Sequence, residues 1–134
     1  MEGWILPTIA YVFVLGSTGV TAKLALRTIS WEQLVLWVPI AYIVLSVALA
    51  AGGTKFPTGV GSGWAAVTAL GAAAALVLFY YALTKGDASQ VAPATAAYPV
   101  VTVLGSALFL SEKITVARGV GTALVVAGVV LLSR

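Results

Sequence analysis

The stretch VAPATAAYPVV, residues 91–101, decides how the fold is interpreted. It is almost wholly apolar, yet it contains two prolines, Pro93 and Pro99. Pro93 falls near the first turn of an apolar segment, where the missing N–H costs little. Pro99 lies deeper, removes the hydrogen bond to the carbonyl of Thr95, and predicts a bend in the helix there. A break of this kind needs surroundings that satisfy the freed backbone groups.

The composition identifies those surroundings as a lipid bilayer. The chain has 134 residues, of which 61% are hydrophobic and 8% are charged, and its mean hydropathy is +1.10. A soluble domain carries about 25% charged residues, so this composition predicts an integral membrane protein. Membrane helices tolerate proline breaks where neighbouring helices, water or a cavity satisfy the freed carbonyl.

The residue types that are missing exclude several kinds of site. The sequence has no cysteine and no histidine, which excludes disulfides, thiolate or imidazole metal sites, and Cys or His catalysis. We therefore expect no metal, no cofactor and no enzymatic activity. The net charge is +3, but the basic residues stand singly between apolar blocks. A nucleic-acid binder clusters them on one face, so nucleic acid is not expected as a partner.

Five uncharged runs, separated by the charged residues, predict five membrane spans in one all-α domain over residues 1–134. Their expected bounds are 4–26, 31–52, 63–84, 89–110 and 115–133. A spanning helix needs about 20 mainly apolar residues, and the shorter fifth run reaches this if Arg118 snorkels to the interface. SWEQ (30–33) predicts a capping box before the second span, and DASQ (87–90) predicts another before the fourth.

The basic residues are distributed almost evenly between the two sides of the membrane. With five spans, one side holds three Lys or Arg, and the other holds four: Lys55, Lys113 and Arg118 against Lys23, Arg27, Lys85 and Arg134. Orientation follows a clear excess of Lys and Arg on one side. Two interpretations stay open: a weak bias resolved by other cues, or dual topology, in which copies insert both ways and pair antiparallel.

The acidic residues offer no proton carrier in the middle of a span. All four lie at the chain terminus, in the capping boxes or in a tight turn: Glu2, Glu32, Asp87 and Glu112. Proton-coupled transport usually depends on an intramembrane carboxylate. We therefore predict that this chain has no buried acidic proton carrier.

Candidate binding residues are polar or aromatic groups within the spans. The break supplies Tyr98, Pro99 and Thr102, since a freed carbonyl beside a phenol and a hydroxyl forms a polar patch. The other spans contribute Tyr11, Ser17, Tyr80 and Tyr81. Lys23, at the end of the first span, either snorkels to the interface or faces a cavity and attracts an anionic group.

Small residues on the fifth span provide a candidate contact between two copies of the chain. Ala117, Gly121 and Gly128 fall on one helix face. Helices in lipid associate through close packing, which small residues allow. This face is the candidate dimer interface, and packing explains most of the other small residues.

The chain resembles the drug/metabolite transporter superfamily, specifically its EamA-type five-helix domain. The resemblance is strongest from ALTKGDASQVAPATAAYPVVTVLGSALFLSEKIT (82–115) into GVGTALVVAGVVLL (119–132). GSTGVTAKLAL (16–26), with Lys23, is similar to the family's first helix. Four features of the family pattern carry the resemblance. They are a turn with alanine and serine (Ala88 and Ser89), a proline in the fourth helix (Pro99), an acidic residue that ends this helix (Glu112), and a Gly-rich fifth helix (Gly119, Gly121 and Gly128).

The resemblance implies a transporter of metabolites, amino acids or drugs in the cytoplasmic or inner membrane. Typical members carry two such domains as an inverted repeat around a central cavity, so a one-domain chain implies an antiparallel homodimer. The related small multidrug resistance proteins carry a Glu in the first helix, and no acidic residue lies between Trp4 and Leu26. Export or facilitated exchange without that carboxylate is therefore expected. The alternative is a non-transporting subunit of a heteromeric carrier or flippase.

Overall fold

The protein is all-helical in the computed structural model, which describes residues 3–132. Six helices follow in chain order: α1 Ile5–Ala25, α2 Trp31–Ala51, α3 Val60–Lys85, α4 Ala88–Thr95, α5 Tyr98–Phe109 and α6 Val116–Leu132. The predicted fold class, an all-α membrane protein of the EamA type, is confirmed. Glu2 and Arg134, which belong to the charge map, lie outside the described residues.

Four segments are long and apolar enough to cross a membrane. They are Ile5–Ala25, Trp31–Ala51, Val60–Lys85 and Ala88–Phe109, the last formed by α4 and α5 together. The fifth, α6, has 17 residues, which at about 1.5 Å per residue is just short of a hydrocarbon core of about 30 Å. Arg118 lies in its first turn, where a long basic side chain reaches the interface.

The start of α2 is fixed by the capping box that the sequence predicts. The Ser30 side chain accepts a hydrogen bond from the Gln33 N–H at 3.3 Å. The Ser30 N–H donates to Gln33 Oε1 at 2.9 Å. Two N–H groups that a helix start leaves unpaired are thereby satisfied, and Glu32 places a negative charge in the first turn.

The second predicted capping box, before α4, does not form. Asp87 does occupy the N-cap position, with extended backbone, but its side chain makes no capping hydrogen bond. Its backbone carbonyl instead accepts from the N–H groups of Gln90 and Val91, at 2.9 and 2.8 Å. The contribution of this carboxylate to α4 is therefore its charge at the positive end of the helix.

The helices fall into two compact units that divide between Lys85 and Gly86. In the first unit, α3 packs against both α1 and α2. Its buried residues are Gly19 and Ala22 near the end of α1 and Leu83 near the end of α3. In the second unit, α6 packs against α4 and α5. Many large apolar side chains of both units are exposed on their helices, as expected where lipid is the solvent.

Candidate functional site

The fourth span is broken where the sequence places Pro99. α4 ends at Thr95 and α5 begins at Tyr98. Across the gap the chain makes the tighter 3₁₀ type of hydrogen bond, between residues three apart. The N–H of Ala96 donates to the Pro93 carbonyl at 2.9 Å, and that of Ala97 donates to the Ala94 carbonyl at 3.3 Å. Pro99 lies in the first turn of α5, where its missing N–H costs little. The predicted interruption is confirmed.

The break leaves backbone acceptors open at membrane depth. Among the described residues, no hydrogen bond reaches the carbonyls of Thr95 and Ala96. Both residues are exposed. An unpaired carbonyl in hydrocarbon costs several kcal/mol, on the order of the desolvation of an amide group. These carbonyls therefore favour a partner that donates hydrogen bonds, such as water, a polar group of another helix or a solute.

The side chains beside the break strengthen its character as a hydrogen-bond acceptor. The Thr95 hydroxyl donates to the Ala92 carbonyl at 2.7 Å, and the Thr102 hydroxyl donates to the Tyr98 carbonyl at 3.4 Å. With their protons used in this way, both hydroxyl oxygens present lone pairs. Tyr98 begins α5 and is 58% exposed, so its phenol is accessible. The structure thus places Tyr98, Pro99 and Thr102 within the first five residues of α5, directly after the break.

The candidates on α1 lie on an exposed part of that helix. Tyr11 is 53% exposed, and Ser17 is also exposed. The Ser17 hydroxyl donates to the Val14 carbonyl of its own helix at 2.7 Å. Ser17 therefore offers an acceptor oxygen rather than a donor, like the threonines at the break.

The two tyrosines near the end of α3 have different surroundings. Tyr80 is half-buried. Tyr81 meets Trp31 edge to face, with ring centroids 5.7 Å apart and an angle of 78° between the rings. The Lys85 ammonium lies 5.4 Å from the centroid of the Tyr81 ring. An indole, a phenol and an ammonium in contact are typical of a helix end at the membrane interface.

Lys23 has a structural partner that the sequence did not reveal. Its ammonium donates to the carbonyl of Leu83 at 2.7 Å, sixty residues along the chain. That carbonyl is among the last four of α3, which have no partner within the helix. The ammonium also stands at the negative end of the α3 dipole. In the first unit, Lys23 therefore ties the end of α1 to the end of α3.

The candidate dimer face is open on α6. Ala117 and Gly121 are exposed, and Gly128 is half-buried. A Cβ atom placed at Gly121 or Gly128 would meet nothing within 4 Å. The face is therefore smooth, as close helix packing needs, and it is uncovered at Ala117 and Gly121.

Sequence reasoning missed a groove between α5 and α6. Its first part is a cavity of about 340 Å³. The polar residues that line it come from α5, from the connecting turn and from the start of α6: Thr102, Ser106, Glu112, Lys113 and Arg118. Its second part, of about 400 Å³, is lined by Val100, Leu104, Gly119, Thr122, Ala123 and Val126. Val103 and Ile114 border both parts. The three charged residues close together in SEKITVAR (111–118) were the sequence feature that could have indicated this groove.

Comparison with known proteins gives one family and two relatives. The model of the EamA-like transporter family matches residues 3–134. An uncharacterized transporter of Sinorhizobium sp., from the region 3′ of cobO, is 29% identical over 135 residues, which cover 97% of this chain and 94% of the relative. An uncharacterized protein of Methanocaldococcus jannaschii is 46% identical over 57 residues, 42% of each chain. No solved structure matches the chain significantly.

Proposed function

The chain belongs to the EamA-like transporter family, and we propose that it moves small organic molecules across the cell membrane as an antiparallel homodimer. Membership makes it a multi-pass membrane transport protein. The proposal adds the substrate class (metabolites, amino acids or drugs), the mode (export or facilitated exchange), the pairing, and the cytoplasmic or inner membrane as location. The two units together would form one EamA-like domain, one half of the transporter.

The observation that carries the proposal is the break in the fourth span. It leaves the carbonyls of Thr95 and Ala96 without a hydrogen-bond donor, and the nearby Tyr98 in the chain has an exposed phenol. Transporters commonly build sites near the midplane from interrupted helices, because irregular backbone at that depth is tolerated where it lines a cavity. A solute with N–H or O–H donors would satisfy these carbonyls. Tyr11, Ser17, Tyr80, Tyr81 and Lys23 are proposed as further cavity residues from the other spans.

Transport by variants at the break tests this assignment. Pro99→Ala permits a continuous helix and should lower uptake into vesicles, since the freed carbonyl of Thr95 regains a donor. Tyr98→Phe keeps the ring and removes the hydroxyl. Thr68→Ala, on an exposed part of α3, is the matched control. Unchanged transport in both Pro99→Ala and Tyr98→Phe would remove the break from the mechanism.

The pairing of two inverted copies is supported by three features. The chain has an odd number of spans, its Lys and Arg divide three against four, and α6 presents the open face of Ala117, Gly121 and Gly128. An alternating-access transporter built from two halves needs them inverted around one site. A reporter fused to the C-terminus should be found on both sides of the membrane. A single orientation would contradict the inverted homodimer.

Cysteine cross-linking tests the geometry of the pair, since the chain has no cysteine of its own. Ala117 and Gly128 are eleven residues apart, about 16 Å along α6 at 1.5 Å per residue. In an antiparallel pair that crosses midway between these two positions, at Thr122 and Ala123, a chain with Ala117→Cys should cross-link to a chain with Gly128→Cys. In a parallel pair that distance is too long for a disulfide, whose Cα atoms are about 4.4–6.8 Å apart. Cross-linking of Ala117→Cys to itself alone would indicate parallel packing.

The purified chain in vesicles separates this function from that of a non-transporting subunit. A transporter that is complete as a homodimer moves solute without another protein. A heteromeric carrier or flippase subunit would remain inactive until its partner is added. The family match to transporters favours the first outcome.

A further inference from the structure

The groove between α5 and α6 has a polar end and an apolar end. The polar end lies at the turn that joins the helices, and two cations and one carboxylate line it: Lys113, Arg118 and Glu112. The apolar end continues along the two helices past Leu104 and Val126. Val103 and Ile114 border both ends, so the two parts are continuous. A turn between spanning helices lies at headgroup depth, and the apolar part therefore extends towards the acyl chains.

The charges at the polar end are available to a ligand. In the described part of the chain, Glu112 forms no ion pair with Lys113 or Arg118. The Arg118 guanidinium makes one long contact, 3.4 Å to the carbonyl of Lys113, which holds it over the turn. All three charged residues are exposed. The groove thus offers separate partners for an anion and for a cation.

We infer that the α5–α6 groove binds an aminophospholipid, a lipid whose headgroup joins a phosphate to a primary ammonium. The phosphate fits between Lys113 and Arg118, which supply charge-assisted donors. The ammonium pairs with the carboxylate of Glu112. An acyl chain lies in the apolar part, against Leu104 and Val126. A headgroup without an ammonium or with a quaternary one leaves the Glu112 carboxylate without a hydrogen-bond donor.

The groove does not compete with the proposed dimer face. It uses Gly119, Ala123 and Val126 on α6, which at about 100° per residue lie opposite the face of Ala117, Gly121 and Gly128. A lipid and a second copy of the chain can therefore bind on opposite sides of the same helix. The inference stands independently of whether the protein forms the proposed dimer.

Lipid titration of the delipidated, detergent-purified full chain tests the site, with bound lipid counted by native mass spectrometry. We expect tighter binding of dioleoylphosphatidylethanolamine than of the choline lipid, which differs only in three methyl groups on the nitrogen. Lys113→Gln and Arg118→Gln should each weaken binding about fivefold, the effect of one basic residue near a lipid headgroup. Glu112→Gln should abolish the preference for ethanolamine over choline. Lys55→Gln, which removes a basic residue from another loop, is the matched control.

Filling the apolar part separates lipid binding from binding of a free headgroup. A Cβ at Gly119 meets nothing within 4 Å, so Gly119→Leu should fold and occupy the space of the acyl chain. It should weaken lipid binding, and soluble phosphoethanolamine should compete poorly with the lipid. Circular dichroism checks the helical content, and Ala123→Phe replaces Gly119→Leu if that variant does not fold.

Four results would overturn the inference. They are equal binding of the ethanolamine and choline lipids, equal competition by soluble phosphoethanolamine, a loss in Lys55→Gln as large as in Lys113→Gln, and tighter binding of phosphatidylglycerol that Glu112→Gln does not change. The last would identify a site for anionic lipid instead.

Discussion

Replacing Lys23 by methionine tests whether its ammonium holds two helix ends together. Methionine keeps an unbranched apolar side chain and removes the charge and the donor to the Leu83 carbonyl, 2.7 Å away. Leu83 has no exposed surface, so water does not readily replace the lost donor. If Lys23 served only to bind a solute, the same change would lower transport and leave stability unaltered.

The size of the effect follows from the surroundings of that hydrogen bond. A hydrogen bond to a charged group contributes about 1.5–3 kcal/mol, and a buried acceptor left unpaired costs about 1–3 kcal/mol. Lys85→Met is the matched control, because it removes one positive charge from the same end of α3. Lys85 instead lies over the Tyr81 ring, an exposed contact of about 0.5–1 kcal/mol. The helix-dipole contribution is similar in both variants. Lys23→Met should therefore lower the free energy of unfolding by about 1–2 kcal/mol more than Lys85→Met does.

Reversible unfolding in mixed micelles with increasing sodium dodecyl sulfate, followed by circular dichroism, measures both free energies. Transport in vesicles is measured on the same preparations. The interpretation of Lys23 as a tie between α1 and α3 fails if its variant is no less stable than Lys85→Met. Loss of transport at unchanged stability would instead support the anion-attracting role of Lys23.

Three further changes should alter stability in the same unfolding assay. Ser30→Ala removes the capping box of α2 and should cost about 1 kcal/mol, whereas Thr68→Ala, whose hydroxyl bonds only to its own helix, should change little. Asp87→Ala should cost less than half as much as Ser30→Ala, because the Asp87 side chain makes no capping bond; an equal cost would show that it caps. Ser111 has φ of +55°, so Ser111→Gly should stabilise the turn by up to about 1 kcal/mol, and Ser111→Val should destabilise it by about 1–2 kcal/mol. Destabilisation by Ser111→Gly would contradict the strain argument.

Features controlled by a few neighbouring residues could be predicted from the sequence. The spans follow from hydropathy, the start of α2 follows from SWEQ, and the interruption of the fourth span follows from Pro99. Each depends on backbone rules that act within about four residues. The prediction of a second capping box was wrong: Asp87 occupies the N-cap position, but its side chain makes no capping hydrogen bond. The residue type at a capping position does not by itself determine whether that bond forms.

Features that depend on contacts distant in the sequence could not be predicted. Lys23 and Leu83 are sixty residues apart, and nothing in the sequence near either one pairs them. The α5–α6 groove likewise depends on how residues of two separate helices pack against each other. Periodicity identifies the face that a helix buries, but the space left between two packed helices is set by side-chain volumes and crossing geometry.

The buried residues of the first unit all lie towards one end of its helices, so the packing of the unit differs between its two ends. Gly19, Ala22 and Leu83 mark this end, and the Lys23 tie reinforces it. Towards the opposite end, every residue of α2 from Pro39 to Ala51 is exposed. The helices of this unit are therefore held together most firmly at one membrane surface. In the antiparallel pair that we propose, these two firmly held ends would lie at opposite surfaces, so a single rocking motion would widen the space at one surface and narrow it at the other.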